Sequence, residues 1–376
     1  MLFNRTIHSF KDARRIAKLR LPWMVFDYID GAAGSGYSEQ LNRETLQKLW
    51  LKQQILKNVQ KRNIAVPLFM TRPKLPFGIA PMGMCNLSSP KADRLLASLS
   101  AQFEIPIGVS TVASTSLEKM NELSNGNAWF QLYLSGRMEG SYRLVNRAKE
   151  AGYDTLILTV DVPEVGRRPR ELKHGFKMPF QIGARQLIDF ACHPQWSISQ
   201  ILLGKPKMAN FGGEHGVFDR TESRAAATWD TLAKIRDNWT GNLVVKGVVG
   251  VEDSKRLQSI GIDAIQVSSH GGRQLNSSKP AILALRDIRE ALGPDMKLFY
   301  DSGIRNGEDI IKAYAMGANF VFLGRPFSFA VAANGAVGLQ EITNLLAEEV
   351  SITLAQLGLN DINDVTYDAL VKNSVV

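Results

Sequence analysis

The segment 267-VSSHGGRQL-275 sets His270 three residues ahead of Arg273 in a stretch rich in glycine and polar side chains. An imidazole titrates near neutrality, so a histidine beside a guanidinium suits a general base next to a bound anion. A histidine met alone is more often structural. Asp161 closes the apolar run 155-TLILTVD-161, with Arg167 and Arg168 shortly after, and Lys246 sits late in 242-NLVVKGV-248. Two guanidinium groups hold a carboxylate far better than one; the plainer alternative is a solvated basic turn. Gly303-Ile304-Arg305 and Gly324-Arg325 carry the glycines that let backbone N–H groups approach a phosphate, unless they are turns whose arginines merely face water. Burying so many charged groups together is costly unless they are paired or hold a ligand.

The elements that must position them are short runs, apolar on both faces: 77-FGIAPMG-83, 105-IPIGVST-111, 128-AWFQLY-133, 155-TLILTVD-161, 242-NLVVKGV-248, 264-AIQVSSH-270, 297-KLFYDSG-303 and 320-FVFLGRP-326. That pattern fits strands of a parallel sheet covered on both sides. Amphipathic stretches lie between them, and two residues separate each of Gly152, Gly261 and Gly317 from the strand that follows, where a left-handed glycine ends a helix. Eight such units predict an α/β fold, a (β/α)8 barrel, with a doubly wound sheet as the rival. The reactive residues then fall at strand C-termini, where barrels carry their sites, and the ends of strands 7 and 8 become the phosphate site. The expected organisation is one domain: N-terminal helices over 1–76, a barrel over about 77–326, an insertion over about 172–228 and C-terminal helices over 327–376. Ser9 with Asp12 opens a first helix as a capping box, and Pro22 and Gly31 bound a second.

Composition is consistent with this. The 376 residues are 45% hydrophobic and 22% charged, which excludes disorder, collagen and coiled coil. A net charge of +9 favours anionic partners, but with no aromatic-basic array or helix-turn-helix pattern, nucleic acid is not expected. Cys85 and Cys192 cannot build a disulfide framework, and no Cys/His cluster has zinc spacing, so no metal is expected. The opening residues lack a secretory signal and no apolar run is long enough to span a membrane, so a cytoplasmic-side protein is expected.

Seven segments in order, 27-DYIDGAA-33, 130-FQLY-133, 159-TVDVPEVGRR-168, 245-VKG-247, 267-VSSHGGRQL-275, 301-DSGIRNG-307 and 324-GRP-326, resemble the FMN-dependent α-hydroxy acid dehydrogenase and oxidase family. The likeness runs from about 5 to 370 and is greatest to the bacterial L-lactate and (S)-mandelate dehydrogenases. It implies FMN as cofactor and oxidation of an (S)-2-hydroxy acid to the 2-oxo acid. His270 would be the base and Asp161 the carboxylate stabilising its charged form. Arg168 and Arg273 would clamp the substrate carboxylate, with Tyr28 and Tyr133 hydrogen-bonding to carboxylate and hydroxyl. Lys246 would favour the negative charge of reduced flavin. Ser110, Gln131 and Thr159 would bind the ring's polar edge, and Ala80, Pro81 and Met82 would lie against its face. Asp301, Gly303, Arg305, Gly324 and Arg325 would hold ribityl and phosphate, and Ser268 would be a further cofactor-binding residue. Ser269 and Asn276 stand where most members have asparagine and aspartate, which puts loop positioning in question. Gly83 and Val112 are small beside the corresponding residues of glycolate oxidase, which implies a wider substrate pocket.

The segment 172–211 mixes Leu, Ile, Phe and Trp with Lys173, Lys177, Arg185, Lys205 and Lys207, opposed only by Asp189, a composition suited to an interfacial membrane contact, a lid or a subunit contact. Its likeness to the bacterial dehydrogenases implies peripheral attachment at the cytoplasmic side of the inner membrane and electron transfer to quinone or another membrane acceptor. Family likeness also implies a homotetramer. The rivals are a soluble oxidase that forms hydrogen peroxide and an inactive flavin-binding protein at the membrane surface.

Overall fold

The computed structural model describes residues 6–134, 138–176, 182–204, 206–211, 224–225 and 227–372. Three helices come first: α1 (Phe10–Arg20), α2 (Trp23–Asp30) and α3 (Tyr37–Lys48). The Ser9 hydroxyl accepts from the Asp12 amide at 3.1 Å, capping α1, and Gly31 closes α2. No sequence motif announced α3. The alternation then runs β1 (Phe77–Met82), α4 (Ala92–Phe103), β2 (Ile107–Ser110), α5 (Leu117–Leu123), β3 (Ala128–Tyr133), α6 (Met138–Glu150) and β4 (Thr155–Thr159). The long connection holds α7 (Pro169–Lys173), α8 (Ala184–Cys192), α9 (Pro194–Leu203) and α10 (Trp229–Asn238). It is followed by β5 (Asn242–Val248), α11 (Val251–Ile260), β6 (Ala264–Val267), α12 (Ala281–Leu292), β7 (Lys297–Tyr300), α13 (Gly307–Ala315), β8 (Phe320–Leu323) and α14 (Arg325–Gln356).

All neighbouring strands pair in parallel and β1 also pairs β8, so the sheet closes into the expected (β/α)8 barrel. Gly152, Gly261 and Gly317 each have positive φ, ending their helices as the repeat predicted. Inside the barrel Trp129, Phe299 and Phe322 pack at centroid distances of 5.4–6.0 Å, and Phe69 plugs against the first two at 5.6 Å.

Several strands end earlier than their apolar runs suggested. β6 stops at Val267 and β7 at Tyr300, because His270, Gly271, Gly272, Ser302 and Gly303 all take positive φ, which no strand accommodates. Likewise the helix after β8 opens at Arg325, with Pro326 in its first turn, two residues before the expected boundary at 327. The reactive motifs therefore sit on loops just past the strands.

Candidate active site

Strand register sets the polar floor of the site. Ser110 lies opposite Gln131, Tyr133 opposite Thr159, and Thr159 opposite Lys246, so donors from four adjacent strands meet at one barrel end. Gln131 Nε2 donates to Thr159 Oγ1 at 3.0 Å, and Lys246 Nζ donates to Ser268 Oγ at 3.0 Å. Lys246 is buried. Burial favours its neutral form, but Asp301 and Asp161 outweigh that and hold the ammonium above its ordinary pKa. A fixed positive charge therefore faces the cleft.

His270 Nδ1 lies 3.0 and 3.1 Å from the two carboxylate oxygens of Asp161, and its Nε2 lies 3.4 Å from Tyr133 Oη. Burial, with Lys246 and Arg168 nearby, pushes the imidazole below its usual pKa despite Asp161, which favours its neutral form. Burial would raise the Asp161 carboxyl, but His270 and Lys246 hold it below its ordinary value, so it stays ionised. Gly247 explains part of this placement: its φ is +100°, and a Cβ there would lie 2.5–2.8 Å from atoms of the Asp161 side chain.

Two arginines enter from the loops that follow β4 and β6. Arg273 Nη1 donates to the carbonyls of Tyr28 (2.8 Å) and Gly31 (2.9 Å), and its Nη2 reaches Glu171 at 2.8 Å. Arg168 donates through Nε to the Arg273 carbonyl (3.2 Å) and through Nη2 to Gln274 Oε1 (3.1 Å). Burial and the adjacent Arg273 push Arg168 down to about 10. Tyr28 Oη donates to the Gly83 carbonyl at 3.0 Å, its ring stacks on Phe176 at 4.5 Å, and burial pushes its phenol up to about 12.

At the far end, Arg325 donates to the carbonyls of Ile29, Gly271 and Gly31, and Arg305 Nη2 reaches Glu39 at 3.0 Å. Burial, then the charge of Arg305, pushes Arg325 down to about 9, so a bound anion between these arginines would relieve their repulsion. The cleft leaves about 1700 Å³ empty, counting its open mouth. A run of ring-edge donors, a buried ammonium and a distal arginine pair form a donor set that fits a flavin ring continued by a ribityl phosphate.

All residues that the sequence assigned to the site line this one cleft, except Asp161 and Ser268, which sit behind His270 and Lys246. The structure adds residues the sequence reading passed over. Glu171 stands 2.8 Å from Arg273 and 3.6 Å from Arg168, and its spacing of three from Arg168 was the available signal. Asn42 on α3 donates to Ser269 Oγ at 2.9 Å and accepts from the Ala281 amide at 2.9 Å, bracing the histidine loop. Asn276 Oδ1 accepts from the Tyr37 amide at 3.1 Å, so its side-chain oxygen anchors the start of α3.

Residues 17–372 match the family described as FMN-dependent dehydrogenase. The chain is 34% identical over 380 aligned residues to (S)-mandelate dehydrogenase of Pseudomonas putida, spanning 99% of this chain and 96% of that one. The crystal structure of monotopic membrane protein (S)-mandelate dehydrogenase superposes with a TM-score of 0.92 at 34% identity, over 98% of this chain and 100% of that one. A mandelate oxidase crystal structure follows at 0.84 and 31%, over 97% and 98%. With a barrel, a cleft and a match along nearly its whole length in agreement, the chain belongs to the FMN-dependent dehydrogenase family and is an FMN-dependent 2-hydroxy acid dehydrogenase.

Proposed function

We propose that this enzyme oxidises an (S)-2-hydroxy acid with an apolar side chain, L-lactate or a mandelate-like acid, to the 2-oxo acid and delivers the electrons to quinone or another membrane acceptor. The observation that carries the reading is the His270–Asp161 pair, 3.0 Å apart, opening onto the same cleft as Arg168 and Arg273. The two guanidinium groups take the carboxylate, with Tyr28 and Tyr133 hydrogen-bonding to carboxylate and hydroxyl. Neutral His270 takes a proton from the substrate at Nε2, while Asp161 accepts from Nδ1 and stabilises the imidazolium that results. FMN, when bound, supplies the acceptor of the electron pair. Ala80, Pro81, Met82, Ser110, Gln131, Thr159 and Lys246 would hold its ring, with Ser268 supporting Lys246 from behind, and Asp301, Gly303, Arg305, Gly324 and Arg325 its ribityl phosphate. Val112, Val162, Val165, Phe176 and Met208 give the cleft an apolar stretch of wall that suits a side chain larger than hydrogen.

The insertion supports a membrane acceptor. Neither α8 nor α9 buries a residue, and Leu187, Ile188, Ile198, Ile201, Leu202 and Leu203 are exposed. Among the described residues no helix is long and apolar enough to cross a membrane, which leaves a surface contact, and a relative described as monotopic supports the same reading. Lys177 and Lys205 of its basic rim lie outside the described residues. Orientation toward the cytoplasmic side of the inner membrane is part of the same proposal. The rival acceptor is oxygen, which the likeness to mandelate oxidase favours. Anaerobic flavin absorbance before and after (S)-mandelate, L-lactate and glycolate tests the substrate, and bleaching by glycolate alone would overturn it. Reoxidation by a short-chain quinone should then outpace reoxidation by oxygen; the reverse would make the enzyme an oxidase.

A further inference from the structure

We propose that Ser302 is a positioning residue for the reaction: its hydroxyl, together with that of Ser268, ties the loop bearing His270 to the carboxylate of Asp301. The inference rests on His270 acting as the base.

Three consecutive amides carry the connection. Ser269 N–H and Gly271 N–H donate to Ser302 Oγ at 3.2 and 3.0 Å, and His270 N–H, between them, donates to Ser268 Oγ at 2.9 Å. Both hydroxyls donate to the same oxygen, Asp301 Oδ1, at 2.9 Å from Ser302 and 2.7 Å from Ser268. Ser268 Oγ also accepts from Lys246 Nζ, so each hydroxyl uses its one donor and both acceptor positions. The other carboxylate oxygen accepts from Gln266 Nε2 at 2.6 Å and lies 3.5 Å from Lys246. Asp301 is thus held by four side chains of the protein and works as an anchor.

The backbone at both ends is strained. His270 has φ +55° followed by Gly271 at +61° and Gly272 at +75°, and Ser302 has φ +96°. A side-chain-bearing residue persists in that region only when its surroundings over-determine it. Successive amides turned to one side form a concavity that binds electron-rich groups, and here two hydroxyl oxygens backed by a carboxylate fill it. Glycine would adopt +96° at residue 302 without strain but would leave the amides of Ser269 and Gly271 without their acceptor. His270 opens only a single 3-10 turn, His270–Gly272, and no α-helix or strand holds it, so the direction of its ring is set by this anchor and by Asp161.

The test uses full-length FMN-loaded protein with Ser302→Ala and Ser302→Gly. Amide hydrogen exchange across 268–274 should quicken about tenfold or more in both variants. Flavin reduction by saturating (S)-mandelate or L-lactate should slow roughly tenfold in both, with substrate affinity and FMN content within about twofold of wild type. The glycine variant separates positioning from folding, because relief of strain should leave it more heat-stable than the alanine variant yet just as slow. Unchanged exchange, or a glycine variant reducing flavin at the wild-type rate, would overturn the proposal. A wrong assignment of the base shows itself separately, as continued flavin reduction in His270→Gln.

Discussion

Gly83 and Val112 share one space: a methyl group built on Gly83 would lie 2.6 Å from Cγ2 of Val112 and 3.6 Å from the Tyr28 hydroxyl. The sequence suggested two independent enlargements of the pocket, but the valine already fills what the missing methyl leaves. Val112 is β-branched and stiff at χ1, so it cannot swing aside freely. Gly83→Ala should therefore displace Val112 toward the cleft and lower kcat/KM for (S)-mandelate roughly tenfold, about 1.4 kcal/mol for one misplaced methyl. Val112→Ala in the same chain should restore most of the loss. Anaerobic stopped-flow reduction with mandelate and lactate checks both, and a double variant no better than Gly83→Ala would refute the shared space.

The acid limb of activity should lie low. Burial holds His270 below its ordinary pKa, so its reactive neutral form is favoured and is lost only as pH falls through the lowered value. Reduction should be flat above neutrality and decline below the usual histidine range. Asp161→Asn removes the group that raises this pKa, so the limb moves to still lower pH while the plateau rate drops by about 10²-fold or more. A limb that moves upward would contradict the role given to Asp161.

Arg273→Lys should weaken substrate binding roughly 100-fold, about 3 kcal/mol, with FMN retained. An ammonium cannot keep hydrogen bonds to Tyr28, Gly31 and Glu171 while also presenting a planar fork to a carboxylate. Titration of the bound flavin with the inert product analogue benzoate, followed by absorbance, reads the affinity directly. Unchanged affinity would remove Arg273 from the clamp.

Ile201 and Leu202 are 80% and 77% exposed, so Ile201→Glu with Leu202→Glu should barely change folding stability. Co-sedimentation with vesicles containing anionic lipid should nevertheless be lost, with flavin reduction kept within about twofold. Persistent vesicle binding would move the membrane contact away from α9.

The barrel was legible because its determinants are local. Strands apolar on both faces and glycines such as Gly152, Gly261 and Gly317 follow from burial and positive φ, which act over a few residues. The residue types of the candidate site were legible too, since His270, Arg273 and Lys246 stand on or shortly after apolar strand runs whatever packs around them. What joins them was not. Glu171 beneath two arginines, Asn42 reaching Ser269 from α3, Val112 occupying the space beside Gly83 and Ser302 holding two amides of the histidine loop are contacts between residues from about 30 to more than 200 positions apart, apart from the local Arg168–Glu171 pair. Chemical type and short-range periodicity are written in the chain one residue at a time. Which side chain fills a given gap or satisfies a given amide is decided only when barrel closure brings distant loops within hydrogen-bond reach.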